Sequence, residues 1–295
     1  MDFKILEPSD RELLEPYLAR LSFVDTGFTA LYYIVDQYRV RYAFLGDTLA
    51  IAYDFPDGVW YTLFGTGDLP RAARELSEGG LVRFLCVPEV ELDAYRSLPG
   101  YTAEISCEEI YTDYVCRYED FVSMRNANGH RKCRDYARFT ARNDCSVREI
   151  SGESLGDVRE LMERWCAPRD CADCHLGCEK SWIFKLLDAW DELPARGLIV
   201  DIDGKPEGFD VAELCGDTML RLVGKPVGRQ EGLHVFMGVQ TALRQFSEAA
   251  YVNSGPDLGV PGLALMKQKF KPYALLKKYF VTLREDTGEN EREGA

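Results

Sequence analysis

The sequence predicts an α+β protein of two consecutive domains, each a mixed and mostly antiparallel β-sheet with flanking helices. Three observations lead to this fold class. The chain has 295 residues, which exceeds the usual size of one domain. Hydrophobic residues make up 46% and charged residues 28%, a composition typical of globular proteins with well-formed cores. One order of helices and strands also begins again near the middle of the chain.

The first half opens with a helix. Ser9 is followed three residues later by Glu12, the spacing of a capping box, ahead of an amphipathic segment at residues 13–21. Runs rich in aromatic and β-branched residues then predict strands, and Asp68 with Pro70 begins a second helix that ends at a glycine pair. The predicted strands are residues 40–45, 48–55, 60–64, 81–87, 101–107 and 110–117.

The second half repeats this order after a basic segment. Residues 121–142 have a helical pattern, and we interpret them as a connector. Helices are then predicted at residues 155–166, 179–190, 233–246 and 261–270. Strands are predicted at residues 147–150, 198–203, 208–214, 219–223, 251–253 and 279–283. The acidic tail at residues 286–295 is poor in apolar side chains, so we expect it to fray.

This order of elements is that of the GNAT fold, the fold of acyl-CoA N-acyltransferases. Helices come first, followed by an antiparallel meander, a helix that leaves its last strand, and then strand, helix and strand. We therefore predict two tandem GNAT-like domains. The first spans residues 1–142 and includes the basic connector, and the second spans residues 143–285 and holds the active site.

The composition also limits localisation and partners. The N-terminus lacks a basic region followed by an apolar one, and no apolar run is long enough to span a bilayer, so we expect a cytoplasmic protein without a membrane span. Its ten cysteines are then expected to be reduced thiols. The net charge of −14 opposes indiscriminate binding to nucleic acid, so any polyanion must meet a local basic patch.

Two segments could supply such a patch. Residues 125–148 contain seven Lys or Arg against two Asp, and residues 264–280 contain five Lys and no acid. Taken one at a time, each segment is better interpreted as a solvated helix face.

The C-terminal third carries the most specific pattern. Asn253 is followed by Ser-Gly-Pro, then by Asp257-Leu-Gly, and then by a helix that bears several lysines. This block resembles the closing signature of a bacterial family that is classed with the C-terminal domain of phosphatidylglycerol lysyltransferases. The resemblance extends over nearly the whole chain, through residues 26–38 and 113–115. The central helix departs from it, because residues 131–134 are Arg-Lys-Cys-Arg where the family usually has Lys-Lys-Arg-Asn.

The family also resembles Fem-type peptidoglycan aminoacyltransferases, whose tandem GNAT-like domains use aminoacyl-tRNA. The resemblance therefore implies acyl transfer between an amine and a carbonyl group, without identifying the donor or the acceptor. Our first hypothesis is transfer of an aminoacyl group from aminoacyl-tRNA to an amine or hydroxyl. The acceptor would be a small molecule or a cell-wall precursor, and tRNA would be a partner. Two alternatives stay open: a CoA-dependent N-acyltransferase with acyl-CoA as donor, and a non-catalytic module that binds a ligand or RNA.

Asn253, Asp257 and Lys269 are the candidate catalytic residues, and the resemblance is what selects them. In a GNAT domain the strand before Asn253 separates from its neighbour and opens the substrate cleft. An Asn there can hold a carbonyl, and an Asp can accept a proton or bind an ammonium. From their spacing alone, Asn253 and Asp257 are better interpreted as turn residues, and Lys269 as a solvated helix residue.

The phosphates of the donor are expected at the turn before the helix predicted at residues 233–246. Gly228, Arg229, Gln230 and Gly232 lie in this turn, and a helix N-terminus offers unpaired N–H groups and a positive dipole. The turn is a loose match to the acyl-CoA signature, which has more than one glycine and usually another cation. An ordinary glycine-containing turn explains it about as well.

A cysteine cluster suggests a structural zinc site. Cys166, Cys171, Cys174 and Cys178 lie with His175 within thirteen positions in a polar segment. Thiolates so placed could close a tetrahedral Zn²⁺ site or hold an iron–sulfur cluster. The spacing is not that of a standard two-knuckle zinc site, so four thiols without metal are the favoured alternative.

Overall fold

The computed structural model describes residues 2–65, 67–123, 134–169, 178–228 and 230–286. The strands are β1 (Lys4–Ile5), β2 (Arg41–Leu45), β3 (Thr48–Phe55), β4 (Gly58–Phe64), β5 (Leu81–Val87), β6 (Tyr101–Ser106), β7 (Asp113–Arg117), β8 (Cys145–Glu149), β9 (Arg196–Ile202), β10 (Lys205–Cys215), β11 (Thr218–Pro226), β12 (Tyr251–Asn253), β13 (Ala274–Leu276) and β14 (Tyr279–Glu285). The helices are α1 (Arg11–Leu18), α2 (Phe28–Tyr33), α3 (Val35–Tyr38), α4 (Leu69–Leu76), α5 (Leu92–Arg96), α6 (Tyr118–Ser123), α7 (Arg134–Arg142), α8 (Leu155–Cys166), α9 (Lys180–Asp188), α10 (Leu233–Gln245) and α11 (Pro261–Gln268). In these ranges no helix is both long and apolar enough to cross a bilayer.

The chain folds into two compact units that alternate along the sequence. The first is built from the chain up to Leu6, from Ile34–Glu109 and from the chain after Leu276. The second is built from Glu7–Tyr33 and Ile110–Leu276. Each unit therefore contains a piece of chain that is distant in sequence from its main part.

The alternation differs from the single predicted boundary at residue 142, and strand pairing is the reason. The last strand, β14, pairs antiparallel with β5 and β6 and so belongs to the first unit. In turn β7 pairs antiparallel with β12 and β13 and belongs to the second unit, as does the described part of the predicted connector. A hydrophobic pattern predicts that such strands exist, but it does not identify their partners.

Both units contain a seven-stranded sheet with the same order and the same strand directions. The first sheet has the order β1-β2-β3-β4-β5-β14-β6, and the second has the order β8-β9-β10-β11-β12-β7-β13. In each, the first four strands form an antiparallel meander, the next pair is parallel, and the last two pairs are antiparallel. This repeat confirms the predicted α+β fold of two GNAT-like units.

The sheet of the second unit is covered on both faces, which explains its apolar strands. On one face α10 packs against it through a cluster that includes Met219, Val239 and Phe246, all buried. On the other face Val24, which precedes α2, packs with Leu220 of β11. The middle of β10 and β11 is therefore enclosed on both faces.

Candidate functional site

The two parallel strands of the second sheet separate after a short paired stretch. The partners of β12 on β11 are confined to Thr218–Leu220, although β11 continues further. The chain after Asn253 instead follows β7, where the Ser254 N–H donates to the Tyr114 carbonyl at 2.9 Å. A gap therefore opens between β11 and the segment that follows β12, as is expected for a GNAT-like sheet.

A cavity of about 230 Å³ lies at this gap. Pockets for drug-sized ligands are larger, roughly 300–1,000 Å³, so this one is suited to a small group such as an amino-acid moiety. Half of its lining residues are aliphatic or glycine. Its ionisable and aromatic lining residues are Asp25, Tyr33, Glu179, Trp182, Arg221, His234 and Lys267.

Arg221 forms a buried ion pair beneath the cavity. Its Nε and Nη2 atoms lie 2.8 and 2.6 Å from Oδ1 of Asp210, and neither side chain is more than 4% exposed. Burial raises the pKa of Asp210, and the guanidinium opposes that rise. Gly224 permits the pair to pack closely, because a Cβ there would lie 2.7 Å from the same Asp210 oxygen. The pair fixes a cation in a desolvated place beside the cavity.

His234, on the first turn of α10, is held against this guanidinium. Arg221 Nη1 lies 3.3 Å from His234 Nδ1, and Nη2 donates to the His234 carbonyl at 3.1 Å. Burial first, and then the charges of Arg221, Lys267 and Lys225, lower the pKa of His234 well below its usual 6.5. Because a guanidinium only donates, Nδ1 must accept, and Nε2 then carries the proton. His234 therefore offers the cavity a neutral N–H donor.

We expect His234 to stay neutral when the pH falls from about 8 to about 6. A histidine whose pKa is lowered on folding binds protons more readily when unfolded. As the pH falls below about 6.5, the unfolded chain takes up a proton on His234 that the folded chain does not. The free energy of unfolding should therefore decrease. Imidazole ¹⁵N spectra of the wild type and of a His234→Asn variant will identify its signals. A titration midpoint near the ordinary value would contradict this expectation.

Lys267 places a second cation at the cavity. It lies on α11, its side chain is buried, and its Nζ donates to the Ser254 carbonyl in the segment that follows β12. Gly255 is next to it, since a Cβ there would lie 3.7 Å from the Nζ atom. The ammonium therefore reaches into the gap between the separated strands and comes close to the cavity wall.

The lining also contains carboxylates and aromatic rings, which complement its cations and N–H donors. The rings of Tyr33 and Trp182 are nearly parallel, with centroids 6.4 Å apart. Glu179 forms an ion pair with Lys225, and Asp25 also lines the cavity. Carboxylates and ring faces both attract ammonium groups. The cavity thus combines groups suited to an ammonium with N–H donors suited to a carbonyl oxygen.

Of the predicted catalytic residues, Asn253 is fully engaged within the fold. Its Nδ2 donates to the Ser22 carbonyl at 2.7 Å and to Asp113 Oδ2 at 2.8 Å, and its Oδ1 accepts from the Gly255 N–H at 2.8 Å. Asp113 also accepts from the Val24 N–H at 2.9 Å. Asn253 therefore ties together two segments that line the cavity, without itself being part of the lining.

Asp257 and Lys269 also lie outside the cavity lining. Asp257 accepts from the Tyr114 hydroxyl at 2.6 Å and from the Gly259 N–H at 2.9 Å, which is the pattern of a side chain that closes a turn. Lys269 forms an ion pair with Asp135 of α7, and that ammonium lowers the pKa of the Asp135 carboxyl. The structure does not bring the three predicted side chains together in the cavity.

The predicted phosphate-binding turn leads into α10, and α7 covers part of it. Arg229 lies outside the described residues. Gly228 and Gly232 have positive φ angles of 78° and 97°, and the Gln230 carbonyl accepts from the N–H of Leu233. A Cβ at position 232 would lie 2.5 Å from the main-chain oxygen of Asp135, so α7 approaches the N-cap of α10 closely.

The zinc site stays a prediction. Cys171, Cys174 and His175 lie outside the described residues, whereas Cys166 ends α8 and Cys178 is exposed. In the described part of the chain, no group of three or more His, Cys, Asp or Glu side chains is arranged to hold a metal ion.

A larger groove of about 630 Å³ lies elsewhere in the second unit. Both of its arginines already have partners, since Arg11 pairs with Glu15 at 2.6 Å and Arg196 pairs with Glu248 at 2.8 Å. Its buried Glu213 accepts from the Thr29 N–H at 2.9 Å. Because this groove lies away from the strand separation, we take the smaller cavity as the candidate site.

A family profile described as "Phosphatidylglycerol lysyltransferase, C-terminal" matches residues 19–282. None of the curated protein sequences matches the chain. The matched range includes every residue named above in the cavity lining, from Asp25 to Lys267.

Solved structures share the fold over nearly the whole chain. A conserved protein of unknown function from Bacteroides thetaiotaomicron has a TM-score of 0.89 and 22% identity, covering 96% of this chain and 100% of that one. The L-PGS of Bacillus licheniformis has a TM-score of 0.64 and 14% identity, with coverages of 94% and 93%. FemX has a TM-score of 0.62 and 12% identity, with coverages of 95% and 97%. At these identities the likeness concerns the fold.

Proposed function

Because this chain belongs to the phosphatidylglycerol lysyltransferase C-terminal family, we propose that it transfers an aminoacyl group from aminoacyl-tRNA to an amine or hydroxyl acceptor. The observation that carries the proposal is the cavity at the strand separation, where Lys267, Arg221 and the neutral His234 meet carboxylates and aromatic rings. The acceptor would be a small molecule or a cell-wall precursor, and the reaction would take place in the cytoplasm.

The reaction requires stabilisation of a developing oxyanion. It does not require a covalent enzyme intermediate. The acceptor nitrogen or oxygen forms a bond with the ester carbon, the carbon–oxygen bond to the ribose breaks, and the leaving oxygen takes up the acceptor's proton. The Lys267 ammonium and the His234 N–H are the donors that would face the carbonyl oxygen. The Arg221 charge, fixed by Asp210, would add to the positive potential there.

The aminoacyl group would be held by its ammonium. Asp25 and Glu179 supply negative charge, and the ring faces of Tyr33 and Trp182 supply cation–π attraction. These groups lie on the α2 and α9 side of the cavity, whereas Lys267 lies on α11. A donor with an ammonium next to an ester carbonyl therefore matches the distribution of charge in the lining.

The covered N-cap of α10 favours tRNA over CoA as the donor. In a GNAT domain that binds CoA, the phosphates rest on the N–H groups at this helix N-terminus. Here the Asp135 carbonyl and Phe139 of α7 lie against Gly232, and Glu231 adds a carboxylate to the same turn. Both the space and the charge disfavour a pyrophosphate at that place.

We further propose that the three residues selected from the sequence act by positioning. Asn253 and its partner Asp113 hold the Val24 and Gly255 segments that line the cavity. Asp257 closes the following turn. Lys269 holds Asp135 and so retains α7 over the α10 N-terminus. If so, substitution of these residues would alter the shape of the site without removing a reacting group.

Binding measurements test the choice of donor. We expect labelled aminoacyl-tRNA to bind with an affinity that falls steeply with salt, because phosphate contacts release counterions. Acetyl-CoA should show no saturable binding in calorimetry. Transfer is then measured by mass spectrometry after the protein is incubated with a mixture of aminoacyl-tRNAs and extracts of candidate acceptors. Saturable binding of CoA together with no binding of tRNA would favour a CoA-dependent N-acyltransferase instead.

A further inference from the structure

We propose that Glu213 is a positioning residue of the candidate site, and that ionisation of its buried carboxyl loosens the cavity wall that it holds. The inference rests on the proposed function where it concerns transfer. The wall in question is the chain at residues 24–33, which we call the wall segment. Val24 and Asp25 at its start and Tyr33 at its end line the cavity. Glu213 contacts the middle of this segment.

The carboxyl of Glu213 is enclosed between β10 and the wall segment. Glu213 is 1% exposed, and its Oε2 accepts from the Thr29 N–H of α2 at 2.9 Å. Its Oε1 lies against Gly27, since a Cβ at that position would be 1.6 Å from the oxygen. Within the described part of the chain, Oε1 accepts no hydrogen bond. One oxygen of the carboxyl is therefore bonded to the wall segment, and the other is unbonded in a place shielded from solvent.

The charged groups of the larger groove, which Glu213 also lines, do not neutralise this carboxyl. Arg11 and Glu15 of α1 pair with each other at 2.6 Å, and their charges act on Glu213 with opposite signs. Arg196 of β9 is engaged in its own ion pair. Burial, followed by the charge of Glu213, raises the pKa of the Cys215 thiol to about 12, so this neighbour stays neutral. The lining of the groove thus supplies no unpaired cation.

These surroundings favour the neutral form of Glu213. Burial raises the pKa of its carboxyl from the usual 4.5 to about 7, and bonding to Thr29 opposes that rise. The carboxyl therefore binds a proton more tightly when the wall segment is closed over it than when the segment opens to water. As the pH rises from about 4.5 to about 7, opening should become easier by about tenfold per pH unit, and it should level off above that range.

The wall segment connects this carboxyl to the groups that would hold the ammonium of the donor. At one end, the ring of Tyr33 stacks on that of Trp182 of α9. At the other end, Val24 lies beside the chain that follows β12, because a Cβ on Gly255 would be 3.1 Å from its Cγ1 atom. An open wall segment would displace both ends of this part of the lining, including Asp25. Glu213 can therefore affect the site without touching the donor.

Hydrogen–deuterium exchange between pH 5 and pH 8 tests the effect of the carboxyl on the wall segment. After correction for intrinsic exchange rates, we expect the protection of the α2 amides to fall by at least about tenfold in the wild type. In E213Q it should stay constant, because glutamine does not ionise. The matched control is E15Q, which removes a half-exposed carboxylate from the same groove and should keep the wild-type dependence on pH.

Carboxyl ¹³C spectra of the wild type and E213Q will identify the Glu213 signal, and its midpoint should lie near 7. A midpoint near 4.5 would overturn the inference. So would a parallel loss of protection in the wild type and E213Q. Neither measurement depends on transfer.

A Glu213→Ala variant tests the positioning role in the reaction itself. It removes the acceptor of the Thr29 N–H, so KM for aminoacyl-tRNA should rise by about tenfold while kcat falls less. Circular dichroism will confirm that the variant is folded. An unchanged KM in a wild type that does transfer would reject the positioning role. If the wall segment responds to pH as expected but the wild type transfers no aminoacyl group, the control of the segment by Glu213 stands and the proposed function is rejected.

Discussion

Replacing Lys267 by methionine is expected to lower the rate of aminoacyl transfer by about 100-fold or more. The side chain keeps its length and apolar stem, but the ammonium that lines the cavity is lost. Removal of one hydrogen-bond donor to a developing oxyanion costs roughly 10²–10³ in rate, and a charged donor in a desolvated site should reach that range. Single-turnover rates with the protein in excess over aminoacyl-tRNA will measure the change.

Whether the substitution changes kcat or KM identifies the role of Lys267. If its ammonium acts on the transition state, kcat falls while KM for the donor changes little. If it binds the donor equally in both states, KM rises instead. A Lys205→Met variant is the matched control, because Lys205 is exposed and lies outside the cavity lining. A Lys267→Met protein that is folded and stays within about threefold of the control would remove Lys267 from the mechanism.

Individual helices and strands could be predicted from the sequence where the local hydrophobic pattern is sufficient to determine them. The helix at residues 155–166 and the strand at residues 251–253 have the bounds that the periodicity predicts. By contrast, α2 was not predicted, because its aromatic sequence has no cap of its own. The carboxylate of Glu213 accepts from the Thr29 N–H of its first turn, and these residues are 184 positions apart. Such a helix depends on a tertiary contact that local pattern does not contain.

The sequence predicted the separation of strands next to Asn253, whereas the catalytic roles of Asn253, Asp257 and Lys269 stay predictions. The separation of strands next to Asn253 follows from the GNAT order, and the structure has its cavity there. The sequence could not show that the Asn253 amide donates hydrogen bonds to Ser22 and Asp113, which are distant in the chain. A usable signal did exist. Asp210 and Arg221 are each flanked on both sides by apolar residues in their strands, a placement that usually indicates a buried pair.

The buried pair leads to the second large effect, which concerns stability. Replacing Asp210 by asparagine keeps the shape but leaves the Arg221 guanidinium buried without a counter-charge. Breaking one side of a buried ion pair costs roughly 3–5 kcal/mol, so the free energy of unfolding should fall by about 3 kcal/mol or more. Urea unfolding of the second unit, followed by tryptophan fluorescence, will measure the change. A loss below about 1 kcal/mol would show that the pair is not desolvated as described.

A double replacement separates the structural role of the pair from its role in the site. Asp210→Leu with Arg221→Met removes both charges, and apolar replacement of a whole buried pair is often neutral for stability. The double variant should therefore recover much of the stability that Asp210→Asn loses. It should not recover transfer, because the fixed cation beside the cavity is gone. It should also raise the pKa of His234, since the Arg221 charge contributes to keeping that imidazole neutral. A stable double variant with full activity would assign the pair to folding alone.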